Sequence, residues 1–221
     1  MAIQYVGGRG AGRAGSTSTV NVAINSGLSG GIGSAAIAGD LVIVTVAVGT
    51  QARNPTCAVS GYTPLTQQHT TATTYDISVC TSYKFMPATP DTTVTIPSTG
   101  NIADGQGYVI HVFRGVDATT PLDGVTPTYA SGTGTGQANP ASITPSTTGA
   151  WIYVGAGQAA GTGTTAWTAA YLSALLQYNG ADTNDGRAGG GYYSGWSSGS
   201  YDPAAFGGGS TTSTSSWGAT T

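Results

Sequence analysis

Apolar and polar residues alternate along much of this chain with a period of two, the spacing of a strand with one buried face. In residues 17–24, Val20, Val22 and Ile24 share one side and Thr19, Asn21 and Ala23 the other. In residues 75–86, Tyr75, Ile77, Val79, Tyr83 and Phe85 oppose Asp76, Ser78, Cys80, Ser82 and Lys84. In residues 108–113, Tyr108, Ile110 and Val112 oppose Val109, His111 and Phe113. Residues 41–48 are almost continuously apolar, which predicts a central strand covered on both sides, or one with one face buried and the other capped by a loop. Shorter strands are predicted at 3–6, at 92–96, from Trp151 through Gly157, and at 211–220. Leu172, Leu175, Leu176 and Tyr178 fit a helical face and a strand alike, so residues 168–178 stay open between the two.

Polar segments rich in Gly and Pro separate these runs at 7–16, 26–33, 49–56, 86–91, 97–107, 117–140 and 180–210. Turn signals recur every ten to twenty residues or so, a spacing that suits a sandwich or barrel. No alternation of strands with helices appears, which argues against an α/β enzyme. The expectation is an all-β chain, an antiparallel β-sandwich with long Gly/Ser/Thr-rich loops. Residues 1–16 are expected as an N-terminal arm or first short strand, and residues 17–221 as a single sandwich domain. No repeat at a fixed period shows in the residues.

Composition sharpens this picture. Only 7% of the 221 residues are charged, all nine acids are Asp, and Lys84 is the one lysine. Glu and Lys favour helices, whereas the abundant Thr, Val and Tyr suit a pleated surface. A net charge of −3 gives no basic footprint for nucleic acid. No run of about 18 apolar residues exists to span a membrane. The first residues lack the basic and apolar regions of a signal peptide, so synthesis in a cytoplasm is expected. Cys57 and Cys80 read as small buried apolar residues, with pairing across adjacent strands as the alternative.

Motifs for chemistry are weak. Gly10, Gly12 and Gly15 match G-x-G-x-x-G, but a strand-like stretch follows where a dinucleotide site needs a helix. Gly195-Trp196-Ser197-Ser198-Gly199 and Gly27-Leu28-Ser29-Gly30-Gly31 match G-x-S-x-G, without the helix and the later His of a nucleophile elbow. The pairs Asp117 with Asp123 and Asp182 with Asp185 lie in turn contexts, where Asp caps backbone amides. Residues 182–186 resemble part of a calcium loop but lack its Glu. His69 is expected exposed, and His111 is expected as a hydrogen-bonded packing residue. Tyr62, Tyr129, Trp167 and Trp196 read as loop aromatics that could stack on sugars, with contact to a protein neighbour or core packing as the alternative. No catalytic, cofactor or metal residues are assigned. The expected contact residues are Arg9 and Arg13, pairing with acids on a neighbour, and Tyr192, Tyr193, Trp196 and Tyr201 among the glycines of 186–209; the alternative for that stretch is an irregular loop tucked onto the sandwich by its aromatics.

The segment Gly107-Tyr108-Val109-Ile110-His111-Val112-Phe113-Arg114-Gly115-Val116-Asp117, followed by Thr120-Pro121-Leu122-Asp123, resembles a strand-and-turn pattern in structural proteins of tailed bacteriophages. Gly39-Asp40-Leu41-Val42-Ile43 and Ser215-Ser216-Trp217-Gly218-Ala219-Thr220 fit the same pattern. The resemblance implies a jelly-roll or Ig-like sandwich carried on a virion, with Arg114 bonding the following loop or Asp117. It implies a non-enzymatic capsid decoration or cement protein that packs on the major capsid or tail protein. Homo-oligomers, trimers among them, belong to the same implication. The alternative is a tail fibre or baseplate adhesin binding a host surface glycan. The last strand is expected to continue past Thr221.

Overall fold

Runs of branched and aromatic residues set between turn residues become strands here, because side chains on a pleated backbone alternate between two faces. The computed structural model describes residues 2–51, 53–134, 137–160, 165–181, 185–209 and 215–221. Among them the elements are β1 (Gln4–Arg13), β2 (Val20–Ala23), β3 (Leu41–Thr50), β4 (Thr63–Thr70), β5 (Asp76–Phe85), β6 (Thr93–Ile96), β7 (Gln106–Arg114), β8 (Tyr129–Thr133), β9 (Ile152–Ala160), β10 (Thr165–Thr168), β11 (Ser173–Asn179), β12 (Asp185–Tyr193), β13 (Gly207–Gly209) and β14 (Ser216–Thr220). The described residues contain no helix, and the sheets are antiparallel.

Two five-stranded sheets face each other as a sandwich: β1-β7-β3-β5-β4 and β11-β12-β9-β14-β8. β1 lies over β11, β7 over β12, β3 over β9 and β12, β5 over β14 and β9, and β4 over β8. Each sheet is drawn from one half of the chain, and the halves repeat one topology. Counted within its half, the first sheet runs first, fifth, second, fourth, third; the second sheet, read from β8, runs the same way. Residues 51–62 and 161–172 link the second and third strands, twelve in each half. Residues 71–75 and 180–184 link the third and fourth, five in each. Gly39 and Gly149, at φ of 82° and 84°, turn the chain just before β3 and β9. The edge strands cross over, so that the first strand of each half covers the third of the other. That is the pattern of a twofold relation with β3 and β9 at its centre. The residues themselves hide the repeat, because β3 is built of valines where β9 is built largely of Ala and Gly.

Both sheets are covered on both faces. Val42, Val44, Val46 and Val48 of β3 and Ile110 and Val112 of β7 point away from the second sheet. They pack with Val22 of β2, Val94 and Ile96 of β6, and the loop residues Ile24, Leu28, Cys57 and Val59. On the far side Ile152, Val154 and Ala156 of β9 pack with Trp167, Leu172, Trp196 and Phe206. The main apolar clusters therefore lie outside the pair of sheets.

Between the sheets the lining changes along the strands. Cβ atoms on Gly155 and Gly157 would stand 2.6 Å from Thr45 Oγ1 and 2.7 Å from Ala47 Cβ. One on Gly107 would stand 2.6 Å from the Ala188 nitrogen, and one on Gly186 2.7 Å from the Gly105 oxygen. These glycines let the sheets approach closely. Towards the other end of the strands the lining becomes Tyr5, Leu41, Ile43, Phe113, Tyr153 and Tyr192.

Several expectations change. Residues 4–13 form one ten-residue strand, laid along β7, where a short strand and a loop or arm were expected. The loop at 28–33 bonds the outer edge of β1, through Gly8, Tyr5 and Val6. β4 falls in a stretch given no strand by the sequence, β8 falls in a segment read as a loop, and residues 173–179 are strand. β12 falls inside the stretch read as an irregular Gly loop. Arg114 bonds Asp40 and not Asp117. The reason is register: Leu41 pairs with Phe113, which sets Asp40 beside Arg114. Residues 182–184, and with them most of the calcium-like stretch, lie outside the described residues, as do 211–214 of the expected last strand.

An aromatic cleft at one end of the sandwich

Where the inter-sheet lining turns from glycine to aromatic side chains, the sandwich opens into a cleft of about 710 Å³. That volume is within the range of ligand pockets. Leu41, Ile43, Tyr83 and Phe113 line it from the first sheet, and Ile152, Tyr153, Tyr192 and Thr220 from the second. Period-two alternation places Leu41, Ile43, Tyr83, Phe113, Tyr153 and Tyr192 there, since alternate residues of β3, β5, β7, β9 and β12 face inward, whereas Ile152 borders the cleft from the outward face of β9. Val125, Pro127, Ile143 and Pro145 close its sides. Trp151 lies parallel to Tyr192, with ring centroids 4.6 Å apart and planes at 7°. Phe113 meets both edge-on.

The cleft is electrically quiet. No Lys, Arg or His lines it. Its two carboxylates are occupied: Asp117 accepts from the Thr119 amide and the Thr120 hydroxyl, and Asp123 from the amides of Ser146 and Thr147. Those bonds hold both carboxyls below the usual carboxylate range, although partial burial opposes the shift at Asp123.

Behind the cleft runs a buried hydrogen-bond chain. His111 is fully buried, and its Nε2–H donates to the Ala174 carbonyl at 3.0 Å. Its Nδ1 then accepts from the Tyr153 hydroxyl at 3.3 Å. Tyr153 meets the Thr45 hydroxyl at 3.2 Å, and Thr45 meets Thr81 at 3.1 Å. Burial pushes His111 down to about 4, so it is neutral at pH 7. Both ring nitrogens are engaged, which makes it the packing residue its place in the strand predicts and leaves no nitrogen for base chemistry.

The expected contact residues do not assemble. Arg9 donates to the carbonyls of Ala23 and Ser26. Arg13 donates to Gln106 Oε1 at 2.6 Å and to the carbonyls of Ser18 and Pro97. Both make these bonds within the chain, and no acid is among their partners there. Tyr192 lines the cleft, but Tyr193 faces the other way and stacks on Tyr201 at 4.6 Å. Trp196 is 7% exposed, packs in the outer cluster and donates to the Gly199 carbonyl. Trp167 is buried in the same cluster, so both tryptophans follow the core-packing alternative and not the exposed-loop one. His69 is half-buried against Ser78 and Asp76. Cys57 and Cys80 are both buried and free, close enough for one thiol to hydrogen-bond the other. Trp151 and Tyr83 escaped the sequence reading; the signal was an aromatic residue at the end of an alternating run.

The remaining charges are also internal. Arg53 pairs with Asp104 at 2.6 Å, Lys84 with Asp91 at 2.6 Å, and Arg187 bonds Asn179. Among the described residues no cluster of His, Cys and Asp could hold a metal ion. Compared with known protein families, curated proteins and solved structures, the chain matches none of them.

Proposed function

We propose that this chain is a non-enzymatic structural protein of a bacteriophage virion. In this reading it is a capsid decoration or cement protein, made in the host cytoplasm, that packs as a homo-oligomer on the major capsid or tail protein. The observation that carries the proposal is the use of charge: all six Lys and Arg side chains bond within the chain itself. The outward surface is left to Thr, Ser and Gly, which supports contact by fit and not by charge steering. The sandwich supports the architecture that the sequence resemblance implies. Its strand order departs from the Ig-like one, in which each sheet takes strands from both halves of the chain, whereas here each sheet is drawn from one half. The jelly-roll or Ig-like label therefore enters the proposal as a layer architecture alone.

Mass spectrometry of density-purified particles, from cells carrying the gene, tests this. Presence at capsid-like copy number is the expected result; absence from the particles sinks the proposal, and a few copies per particle moves it to the tail.

One observation favours a second reading, the glycan-binding adhesin. The stacked Trp151 and Tyr192 flank a cleft with no cation, a chemistry that suits the apolar face of a neutral sugar. Saturable binding of host lipopolysaccharide oligosaccharides, lost in Tyr192→Ala, would support it.

A further inference from the structure

Residues 53–62, between β3 and β4, cover part of the outer face of the first sheet. Their burial alternates: Pro55, Cys57 and Val59 are buried, whereas Asn54, Thr56 and Ser60 are exposed. Alternation of this kind marks an extended stretch with one face turned to the sheet. The stretch keeps pace with β5 beneath it. Asn54 Oδ1 meets Ser78 Oγ at 3.5 Å, Cys57 meets Cys80, and the Lys84 ammonium lies over the Tyr62 ring at 5.8 Å. Ser78, Cys80 and Lys84 share the face of β5 that points away from the second sheet. These contacts are made by side chains. Among the described residues of the stretch no backbone bond ties it to β5.

The two sulfurs meet in the middle of this covering. Both cysteines are buried in the outer apolar cluster, and Cys80 Sγ also lies 3.3 Å from Ser82 Oγ. The 221 residues hold two cysteines, and the fold brings those two together. A small apolar residue would pack equally well at either place; two thiols in contact add the capacity to form a bond. The hydrogen bond from Cys57, and after it the one from Ser82, pull the Cys80 thiol below its usual range against the opposing effect of burial. The bond to Cys80 and burial push Cys57 up. Cys80 is therefore the sulfur that ionises first and attacks.

We propose that Cys57 and Cys80 form a reversible disulfide that fastens the 53–62 stretch onto β5. The oxidant is a small-molecule disulfide. The Cys80 thiolate attacks one sulfur of the reagent and expels the other as a thiolate, which takes up the proton that Cys80 has lost. Cys57 then gives up its proton and attacks Cys80 Sγ; the protein disulfide forms, and the second reagent thiolate leaves with that proton. Two protein thiols are oxidised, and one reagent disulfide is reduced to two thiols. Closure brings the sulfurs from hydrogen-bond contact to about 2 Å. β5 is held by ladders to β3 and β4, so the movement falls to the stretch that covers it. Without ladder bonds to β5 the same stretch can lift and admit the reagent to the buried sulfurs. A reducing compartment keeps the thiols and an oxidising one closes the bond, so the covering tightens on a change of medium. The inference is independent of the virion reading.

The test uses the full chain, purified with its thiols reduced and then held in buffer containing glutathione disulfide. The expected result is a mass lower by two hydrogens, no thiol that titrates after denaturation, and a Tm raised by about 5 °C or more. Dithiothreitol should reverse all three. Cys57→Ser is expected to stop at a glutathione adduct on Cys80, and neither Cys57→Ser nor Cys80→Ser should gain Tm with the oxidant. A second arm refolds the chain in the same buffer, which bypasses the burial of the sulfurs; the same bond and the same rise are expected there. Two thiols still free in both arms overturn the proposal. So does a lasting glutathione adduct on the native sequence, or a bond whose formation lowers Tm, because either means that the sulfurs cannot close with the stretch in place. Closure on refolding alone supports the bond and overturns the lifting of the stretch.

Discussion

The two ends of the inter-sheet space solve one packing problem in opposite ways. At one end Gly107 and Gly186 lie against backbone, and Gly155 and Gly157 against the side chains of Thr45, Thr81, Ala47 and Val79, with no room for a further methyl. At the other, Phe113, Trp151, Tyr153 and Tyr192 hold the sheets apart around open space. The glycine end sets the spacing of the sandwich, and the aromatic end leaves a usable cavity. A protein with so few charges has placed its closest packing and its open space at opposite ends of the same strands. The sharpest way to break this contrast is Gly107→Val. The new side chain meets the Tyr178 carbonyl, the Ala188 nitrogen and the Gly186 carbonyl, all backbone, so the sheets must part. Overpacking of this kind costs about 3 kcal/mol or more. Ala150→Val, beside the cleft, is expected to cost less than about 0.5 kcal/mol. Urea midpoints of the two variants decide the matter; equal losses would mean that the ends are packed alike.

Acid attacks the boundary between the ends, where His111 sits. Its folded value is about 4, against an ordinary value of 6.5, because the buried site disfavours the cation. Between those values the unfolded chain binds a proton that the folded chain refuses. The stabilisation is complete above pH 6.5 and is lost as pH falls towards 4, about 3 kcal/mol at most. Protonation would also turn Nδ1 into a donor facing the Tyr153 hydroxyl and reverse the chain that runs to Thr81. Denaturation curves from pH 4 to 7, for the native chain and for His111→Gln, should diverge by that amount. Parallel curves would remove His111 as the cause.

This contrast was only partly legible in the residues. β3, β5 and β7 show their faces in the sequence because each inward and outward position carries a distinct side chain. The second half of β1 and most of β12 are invisible to the same reading, since a glycine has no side chain with which to mark a face. β4 is a neutral, half-exposed edge of Thr and Gln and carries no apolar stripe. Tyr192 was expected as a contact residue; its place in the cleft depends on pairing with Tyr153, a register that no local pattern records. Trp196 stayed open for the complementary reason: glycines around it fit an exposed loop and a tucked one alike, and packing carries it into the outer cluster. The duplicated topology escaped because a sheet can be rebuilt from different side chains so long as pairing and loop lengths persist.

A smaller perturbation tests whether the aromatic end is held by its rings. Tyr192 stacks on Trp151 and touches Phe113 and Tyr5. Tyr192→Ala removes those contacts at a site that already borders open space, so the expected loss is about 1 to 2 kcal/mol, less than for a closed core. Trp151 emission should change in the same variant. A loss matching that of Gly107→Val would mean that the cleft is as tightly packed as the glycine end.

The smallest effect expected concerns the backbone that supports His111. Ala174 accepts the His111 Nε2–H bond and has φ of 51°, a left-handed conformation that costs an alanine about 1 to 2 kcal/mol. The strain lies where β11 slips register against β12, between Ser173 and Leu176, and the slip turns the Ala174 carbonyl towards His111. Ala174→Gly relieves that cost but adds chain entropy in the unfolded state, about 0.5 to 1 kcal/mol. The net expectation is a gain of about 0.5 kcal/mol, seen as a small rise in Tm at pH 7. The same rise should persist at pH 5, because the substitution keeps the carbonyl and leaves the His111 bond in place. A fall in Tm would show that the Ala174 methyl, packed at the border of the aromatic cluster, matters more than the strain it imposes.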